Sequence, residues 1–263
     1  MVQLPHPPLT FLWTIEEEVG LFGARFVRLA KLAKPKLTFN FDGGPARFVK
    51  IGATGGYRMT IEIRGVAAHA GNHPEEGVSA IAIASLAIAD LVHNGWHGLV
   101  TKEGGTGTSN VGVIQGGDAT NVVTDHVRIR AEARSHDPKF RQQIVKEIVE
   151  AFKRARALVR NIHGKSGSVQ FQGRLDYESF RLSREEPCVV EAVRAIEAEG
   201  LEPELAVTNG GLDANWLSAH GLPTVTLGCG QRNIHTTQEE LDIAEFHTAR
   251  RIALHLATAA DSR

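Results

Sequence analysis

The chain has 263 residues, 42% of them hydrophobic, which is enough for one large domain or two modest ones. Its 29 Lys and Arg against 30 Asp and Glu argue against nucleic acid or an anionic membrane surface as a partner. The two cysteines, Cys188 and Cys229, stand in unrelated contexts; they read as thiols of a reducing, cytoplasmic compartment rather than a disulfide framework.

Residues 9–15 (LTFLWTI) are apolar and β-rich, and read as a buried strand. The strand ends in Glu16, Glu17 and Glu18. Val19, Phe22, Phe26, Leu29 and Ala33 then fall on one face of a helix over 19–33, stopped by Pro35. A short strand over 37–41 runs into Asp42-Gly43-Gly44. From Gly55 the pattern changes. A strand over 57–66 precedes a helix over 78–93, too short and too polar at Ser79, Ser85 and Asp90 to span a bilayer. No basic segment followed by an apolar one opens the chain, so no signal peptide is expected. Strands over 108–114 and 127–133 follow, with Gly116-Gly117-Asp118 as a turn. Pro138 starts a helix to about 159, and a strand covers 168–175. This β-α-β-β-α-β order is the split βαβ, or ferredoxin-like, arrangement. It predicts a self-contained domain over 55–177 inserted into an outer domain of 1–54 and 178–263.

The outer domain resumes with a helix over 187–199, ended by Gly200. A strand over 204–207, a tight Asn209-Gly210-Gly211 loop and a helix over 214–220 come next. A strand over 223–227, a loop over 228–230 and a closing helix over 239–259 complete it. Strands alternating with helices predict an α/β fold with a largely parallel sheet.

Glu16, Glu17 and Glu18 lie where a strand gives way to a helix. Carboxylates there meet the positive end of the helix dipole, at the strand edge where α/β proteins place their sites. An acidic first turn of an ordinary helix explains them equally well. Asp42 before two glycines is also what a simple turn favours, and His235, in a glycine-rich loop, is by itself ordinary polar surface. Together, however, two carboxylate positions and one histidine at strand ends make a ligand set suited to zinc. A spare adjacent glutamate would then serve as general base.

Five stretches, in order, carry a more specific resemblance: TIEEEVGLFGA at 14–24, FDGG at 41–44, HAGNHPEEG at 69–77, ATNVV at 119–123 with EARSHD at 132–137, and GGLDAN at 210–215 followed by the loop holding His235. This set resembles the co-catalytic zinc peptidase superfamily that contains peptidase T, carboxypeptidase G and aminoacylase, and most of all its peptidase T-like branch. The resemblance implies that Glu17 is the general base, that Glu18 and His235 ligate one zinc, and that Asp42 ligates the other. Cobalt or manganese would be alternative metals. It implies that the inserted domain dimerises the protein or acts as a lid. His69 would bind substrate or the tetrahedral oxyanion, in one reading across a dimer interface. Asn121 and Arg134 would bind the substrate backbone or terminal carboxylate, a task for which the planar guanidinium fork is suited.

The implied activity is hydrolysis of an amide bond in short peptides, of tripeptidase type. An N-acyl amino acid or carbamoyl amidohydrolase is the alternative, and a non-catalytic dimerisation module the third. Plainer readings stand beside the implied roles: Arg134 pairing with a neighbouring acid, Asn121 capping a turn, Asp213 capping the helix that follows it. His73, His93, His97, His136 and His163 match no ligand position. Family members carry, ahead of the Glu-Glu motif, a His-x-Asp pair and a later aspartate that bridges the metals. Here His6 is followed by Pro7 and Pro8. The expectation is a ligand set short of one His and the bridging Asp, and a chain not competent alone.

Overall fold

The computed structural model describes residues 5–258. The chain divides into two compact units, residues 1–54 with 177–263 and residues 55–176.

The first unit opens with a single helical turn, α1 (Phe22–Arg25), followed by a 3₁₀ turn (Leu29–Lys31) and strands β1 (Thr38–Phe41) and β2 (Phe48–Ala53). Two expectations fail here. Residues 9–15 form no strand; Phe11, Trp13 and Ile15 are exposed, and a strand without a neighbour leaves its backbone groups unpaired. The helix over 19–33 shrinks to α1 because Leu21 before it takes a left-handed φ of 56° and Arg28 after it is extended at φ −89° and ψ 96°, neither of which a continuous right-handed helix accommodates.

The second unit contains β3 (Gly55–Arg64), α2 (Ala80–His93), β4 (Gly98–Lys102), β5 (Gly105–Gln115), β6 (His126–Ser135), α3 (Pro138–Leu158) and β7 (Ser168–Tyr177). Its sheet order is β4-β5-β6-β3-β7, the ferredoxin-like order with one extra edge strand. Period-two patterning explains the sheet. Met59, Ile61 and Ile63 of β3 and Val127, Ile129, Ala131 and Ala133 of β6 are buried, while Arg58, Arg128 and Arg130 between them are exposed. Helix α2 starts at Ser79, whose hydroxyl accepts the Ala82 N–H. Helix α3 starts at Asp137, which accepts the Lys139 and Phe140 N–H groups, with Pro138 at its first position. Phe140, Ile144, Ile148 and Phe152 of α3 fill the core. The extra hairpin β4–β5 turns at Glu103 and Gly104, the latter at φ 100°, a conformation that favours glycine.

The first unit then continues with β8 (Phe180–Arg181), α4 (Pro187–Glu197), β9 (Glu204–Thr208), α5 (Asp213–Ala219), β10 (Thr224–Leu227), β11 (Gln231–Arg232), β12 (Glu240–Leu241) and α6 (Ile243–Thr258). The longer pairings, β1 with β10 and β2 with β9, are parallel. The antiparallel pairings of β2 with β10 and β8 hold two residue pairs each. Val49, Ile51, Val189, Ile196, Val225, Leu227 and Ile252 form its core. The closing helix begins later than expected, because residues 240–241 pair with β11 and Asp242 caps α6 by accepting the Ala244 and Glu245 N–H groups. Its expected end at Ala259 lies outside the described residues. Among the described residues no helix is long and apolar enough to cross a membrane.

Candidate active site

In the first unit, residues 14–23 fold back on themselves. The Glu17 carbonyl accepts the Gly20 and Leu21 N–H groups at 3.1 and 2.9 Å, and the Ile15 carbonyl accepts the Gly23 N–H at 3.0 Å. A Cβ at Gly23 would stand 2.6 Å from Ile15 N and 2.7 Å from Thr14 Cβ, so the tight fold requires glycine there. This turn directs two adjacent carboxylates to different places. Glu17 lines a cavity of about 190 Å³ with Thr14, Asn40, Phe41, Asp42 and Asp213. Glu18 instead meets His235, whose Nε2 lies 3.0 and 3.2 Å from its two oxygens. The His235 N–H donates to Glu239 Oε2 at 2.8 Å, which holds the loop at its left-handed φ of 63°.

Asp42 follows the C-terminal end of β1. Its N–H donates to the Leu227 carbonyl at 2.9 Å, and Lys50 Nζ donates to its own carbonyl at 2.7 Å. Asp213 is buried at the start of α5. It does not cap that helix, whose N-cap is Leu212. The Thr14 hydroxyl donates to its Oδ2, and its buried Oδ1 has no partner among the described residues. Asn215 fixes this corner: its Oδ1 accepts the Leu212 N–H at 2.8 Å, and its Nδ2 donates to the Thr54 and Glu178 carbonyls at 2.9 and 2.6 Å.

The crowding of carboxylates shows in their acidities. Burial, then repulsion from Asp42, Glu18 and Asp213, pushes Glu17 from its ordinary 4.5 up to about 7, with His235 opposing. Burial raises Asp42, with Lys50 opposing. Burial also raises Asp213, with the Thr14 hydroxyl opposing. The sequence singled out Asp213 only as a helix cap; its place in the GGLDAN stretch was the available sign of something more.

A cluster of partly desolvated carboxylates with one orphaned oxygen favours a cation. Yet among the described residues no three His, Cys, Asp or Glu side chains converge to hold a metal ion. Glu18 and His235 make a two-donor pair and Asp42 a single donor. These groups fit one edge of a metal site and do not complete one.

In the second unit, His69 and Asn121 come together. They lie on neighbouring segments tied by Ala70 N–H to the Asn121 carbonyl at 2.9 Å and by the bridge between His69 and Val122. The His69 Nδ1 accepts the Gly71 and Asn72 N–H groups at 3.1 and 3.0 Å. That leaves Nε2 as the ring's free edge. Arg134 sits elsewhere. It lies opposite Gly56 at the far end of β6, eight positions from His126 and so roughly 27 Å along the strand. Its Nε and Nη2 grip the two oxygens of Glu132 at 2.9 and 3.0 Å, the plainer pairing that the sequence left open. Within one copy, therefore, one substrate group cannot touch both Arg134 and the His69–Asn121 pair.

Comparison with known proteins agrees with this architecture. Residues 51–157 match the family described as the peptidase dimerisation domain. The aminopeptidase PepT of Bacillus cereus has 33% identity and a TM-score of 0.83, over 97% of this chain and 65% of that one. A Staphylococcus aureus tripeptidase has 31% identity and a TM-score of 0.82, over 94% and 62%. The Bacillus subtilis protein YqjE is 33% identical over 244 residues, 92% of this chain and 62% of its own length. The fold is that of the M20 peptidases. Over these shares of their length the chain is similar in sequence and fold to the PepT and tripeptidase structures. It spans about three-fifths of the length of the curated relatives it matches.

Proposed function

We propose that this chain carries part of the active site of a metal-dependent peptidase that hydrolyses an amide bond in short peptides, of tripeptidase kind. The observation that carries the reading is the division of labour between neighbours: Glu17 enters the cavity beside Asp42 and Asp213, while Glu18 turns away to His235. The similarity to PepT and to a tripeptidase supports the choice of substrate. The metal is zinc, with cobalt or manganese as substitutes, held by Glu18, His235 and Asp42 together with further donors. When bound, it supplies Lewis-acid polarisation of the scissile carbonyl. Glu17, poised near neutrality, takes the proton of the attacking water and returns it to the leaving amine.

In this reading the unit over 55–177 folds independently and forms a cytoplasmic homodimer. His69 and Asn121, reaching from one copy to the substrate held by Arg134 of the other, bind the substrate backbone and the developing oxyanion. Arg134 binds the terminal carboxylate, with the carboxylate of Glu132 showing in its place the bidentate geometry the fork accepts. An N-acyl or carbamoyl amino acid presents the same carboxylate and is the second substrate class. Because among the described residues no three donors converge on a metal, the 263-residue chain is inactive by itself in this reading.

The test has two parts. This chain, assayed on tripeptides and N-acyl amino acids with added zinc, cobalt or manganese, should show no turnover. Fusion with the portion of the Staphylococcus aureus tripeptidase that the chain does not span should restore metal-dependent tripeptide hydrolysis. Glu17→Ala should then lower turnover on the order of a hundredfold to ten-thousandfold while the metal stays bound. A fusion that binds metal and cleaves N-acyl amino acids but no peptide would move the function to the second class. Loss of metal with near-normal residual turnover would mean that Glu17 and Glu18 have exchanged roles.

A further inference from the structure

Helices α2 and α3 pack on the face of the second unit's sheet that carries Met59, Ile61, Ile129 and Ala131. Alternation turns Arg58 and Thr60 of β3, Arg130 and Glu132 of β6, and Gln172 and Arg174 of β7 to the opposite face. A groove of about 550 Å³ lies there, lined by these residues and by β5. Its volume falls within the range of small-molecule sites. On β5, Asn110 stands opposite Glu132 and Val113 opposite Arg130, with Gly112 as the extra residue of a bulge between them. Gly112 brings no side chain to the groove wall.

The charge of this groove is uneven. Asp176, whose side chain is 1% exposed, meets Arg58 Nε at 2.9 Å with one oxygen and Arg174 Nη2 at 3.2 Å with the other. A buried carboxylate is tolerated when it is paired, and here it fixes two guanidinium groups beside the groove. Each guanidinium has five N–H donors, so one carboxylate oxygen does not exhaust it. Glu132 is held by Arg134, and Arg128 is matched by Glu62 at 3.3 Å. Arg130 differs from all of these: among the described residues it forms no ion pair. It lies opposite Thr60 and diagonal to Arg58, close enough for like charges to repel. Arg58, Arg130, Arg134 and Arg174 thus stand against only Glu132 and Asp176, a surplus of two positive charges.

We propose that this groove binds a small phosphate monoester, its phosphate held by Arg58, Arg130 and Arg174 and its organic part lying toward Asn110 and Val113. A phosphate monoester carries close to two negative charges at neutral pH, which matches the surplus. Its tetrahedral head offers three oxygens to donors arriving from different sides, whereas a carboxylate offers two in one plane. The three arginines stand on three neighbouring strands, β6, β3 and β7, and so approach from different sides. Asp176 holds two of them before any ligand arrives, which lowers the cost of ordering them. The site uses no residue of the cavity around Glu17, so it stands apart from the peptidase reading.

Calorimetric titration of the full chain with phenyl phosphate, at low ionic strength and with a chelator present, tests this. One molecule should bind per chain, and inorganic phosphate should compete with it. Succinate, a dicarboxylate of the same charge, should bind at least about tenfold more weakly. Arg130→Ala should weaken phenyl phosphate at least about tenfold with an unchanged thermal transition, because Arg130 has no ion pair to lose. Lys146→Ala on α3 should leave binding as it is. On the wild type, independent of any variant, phenyl phosphate should shift the amide resonances of β3, β6 and β7. No binding up to millimolar phenyl phosphate, binding indifferent to Arg130→Ala, or resonance shifts confined to other segments overturns the site. Succinate bound as tightly as phenyl phosphate overturns the phosphate assignment.

Discussion

Glu17 gives the cavity a signature that can be read without any substrate. Its carboxyl is raised to about 7 from an ordinary 4.5, mainly by burial and then by repulsion from Asp42, Glu18 and Asp213. A carboxyl with a higher pKa in the folded than in the unfolded state keeps its proton longer when folded. Its contribution is therefore fully present below pH 4.5 and is lost as pH rises through 7. Between those values the unfolded chain has already released the proton, so stability must fall as pH rises. The full shift corresponds to about 3 kcal/mol. Glu17 is only half-buried, and solvent screening brings the expected effect to about 1–2 kcal/mol. Glu17→Gln keeps the shape and removes the ionisation. In urea titrations with a chelator present, the variant and the wild type should be about equally stable at pH 4.5. The variant should be more stable by about 1–2 kcal/mol at pH 8. Asp42 and Asp213 are raised too, but they are common to both proteins and cancel to first order. Parallel curves for the two proteins across pH 4.5–8 would refute the claim that Glu17 ionises at a cost inside this cavity.

The segment 55–177, expressed alone, should unfold in one cooperative thermal transition; a non-cooperative melt would contradict the completeness of its core. Within it, Phe152→Ala removes a fully buried ring that meets Phe171 edge-on and should cost about 3–5 kcal/mol in chemical denaturation. In the active fusion, Arg134→Lys should raise KM for tripeptides at least about tenfold with little change in kcat, because a single ammonium cannot reproduce the two-bond grip. An unchanged KM would show that Arg134 serves only to neutralise Glu132. Asp213→Asn should move the Glu17 titration downward, measured by NMR on the metal-free chain, since one repelling charge is removed; an unmoved titration would assign the shift to burial and the other carboxylates.

The second unit was legible because its information is local. Alternating residues in β3 and β6 and the caps Ser79 and Asp137 specify strand faces and helix starts within a few positions of themselves. Even the missed β4–β5 hairpin left a local sign in Glu103-Gly104-Gly105 between alternating runs. The first fifty residues were not legible in this way. Residues 9–15 have the composition of a strand, but a strand exists only with a hydrogen-bonding neighbour, and composition does not say whether one is there. The helix expected over 19–33 had its apolar spacing; the left-handed Leu21 and the extended Arg28 confined it to one turn.

The motif order placed Glu17, Glu18, Asp42 and His235 on the ends of strands and in loops, which is a statement about neighbours in sequence. Only the tertiary structure turns Glu17 into the cavity and Glu18 onto His235, buries Asp213 against Thr14 across 199 positions, and separates Arg134 from His69 and Asn121 along β6. Desolvation, repulsion and reach are set by distances through space, so the acidity of Glu17 and the partner of Arg134 were decided by the fold and not by the spelling of the motifs.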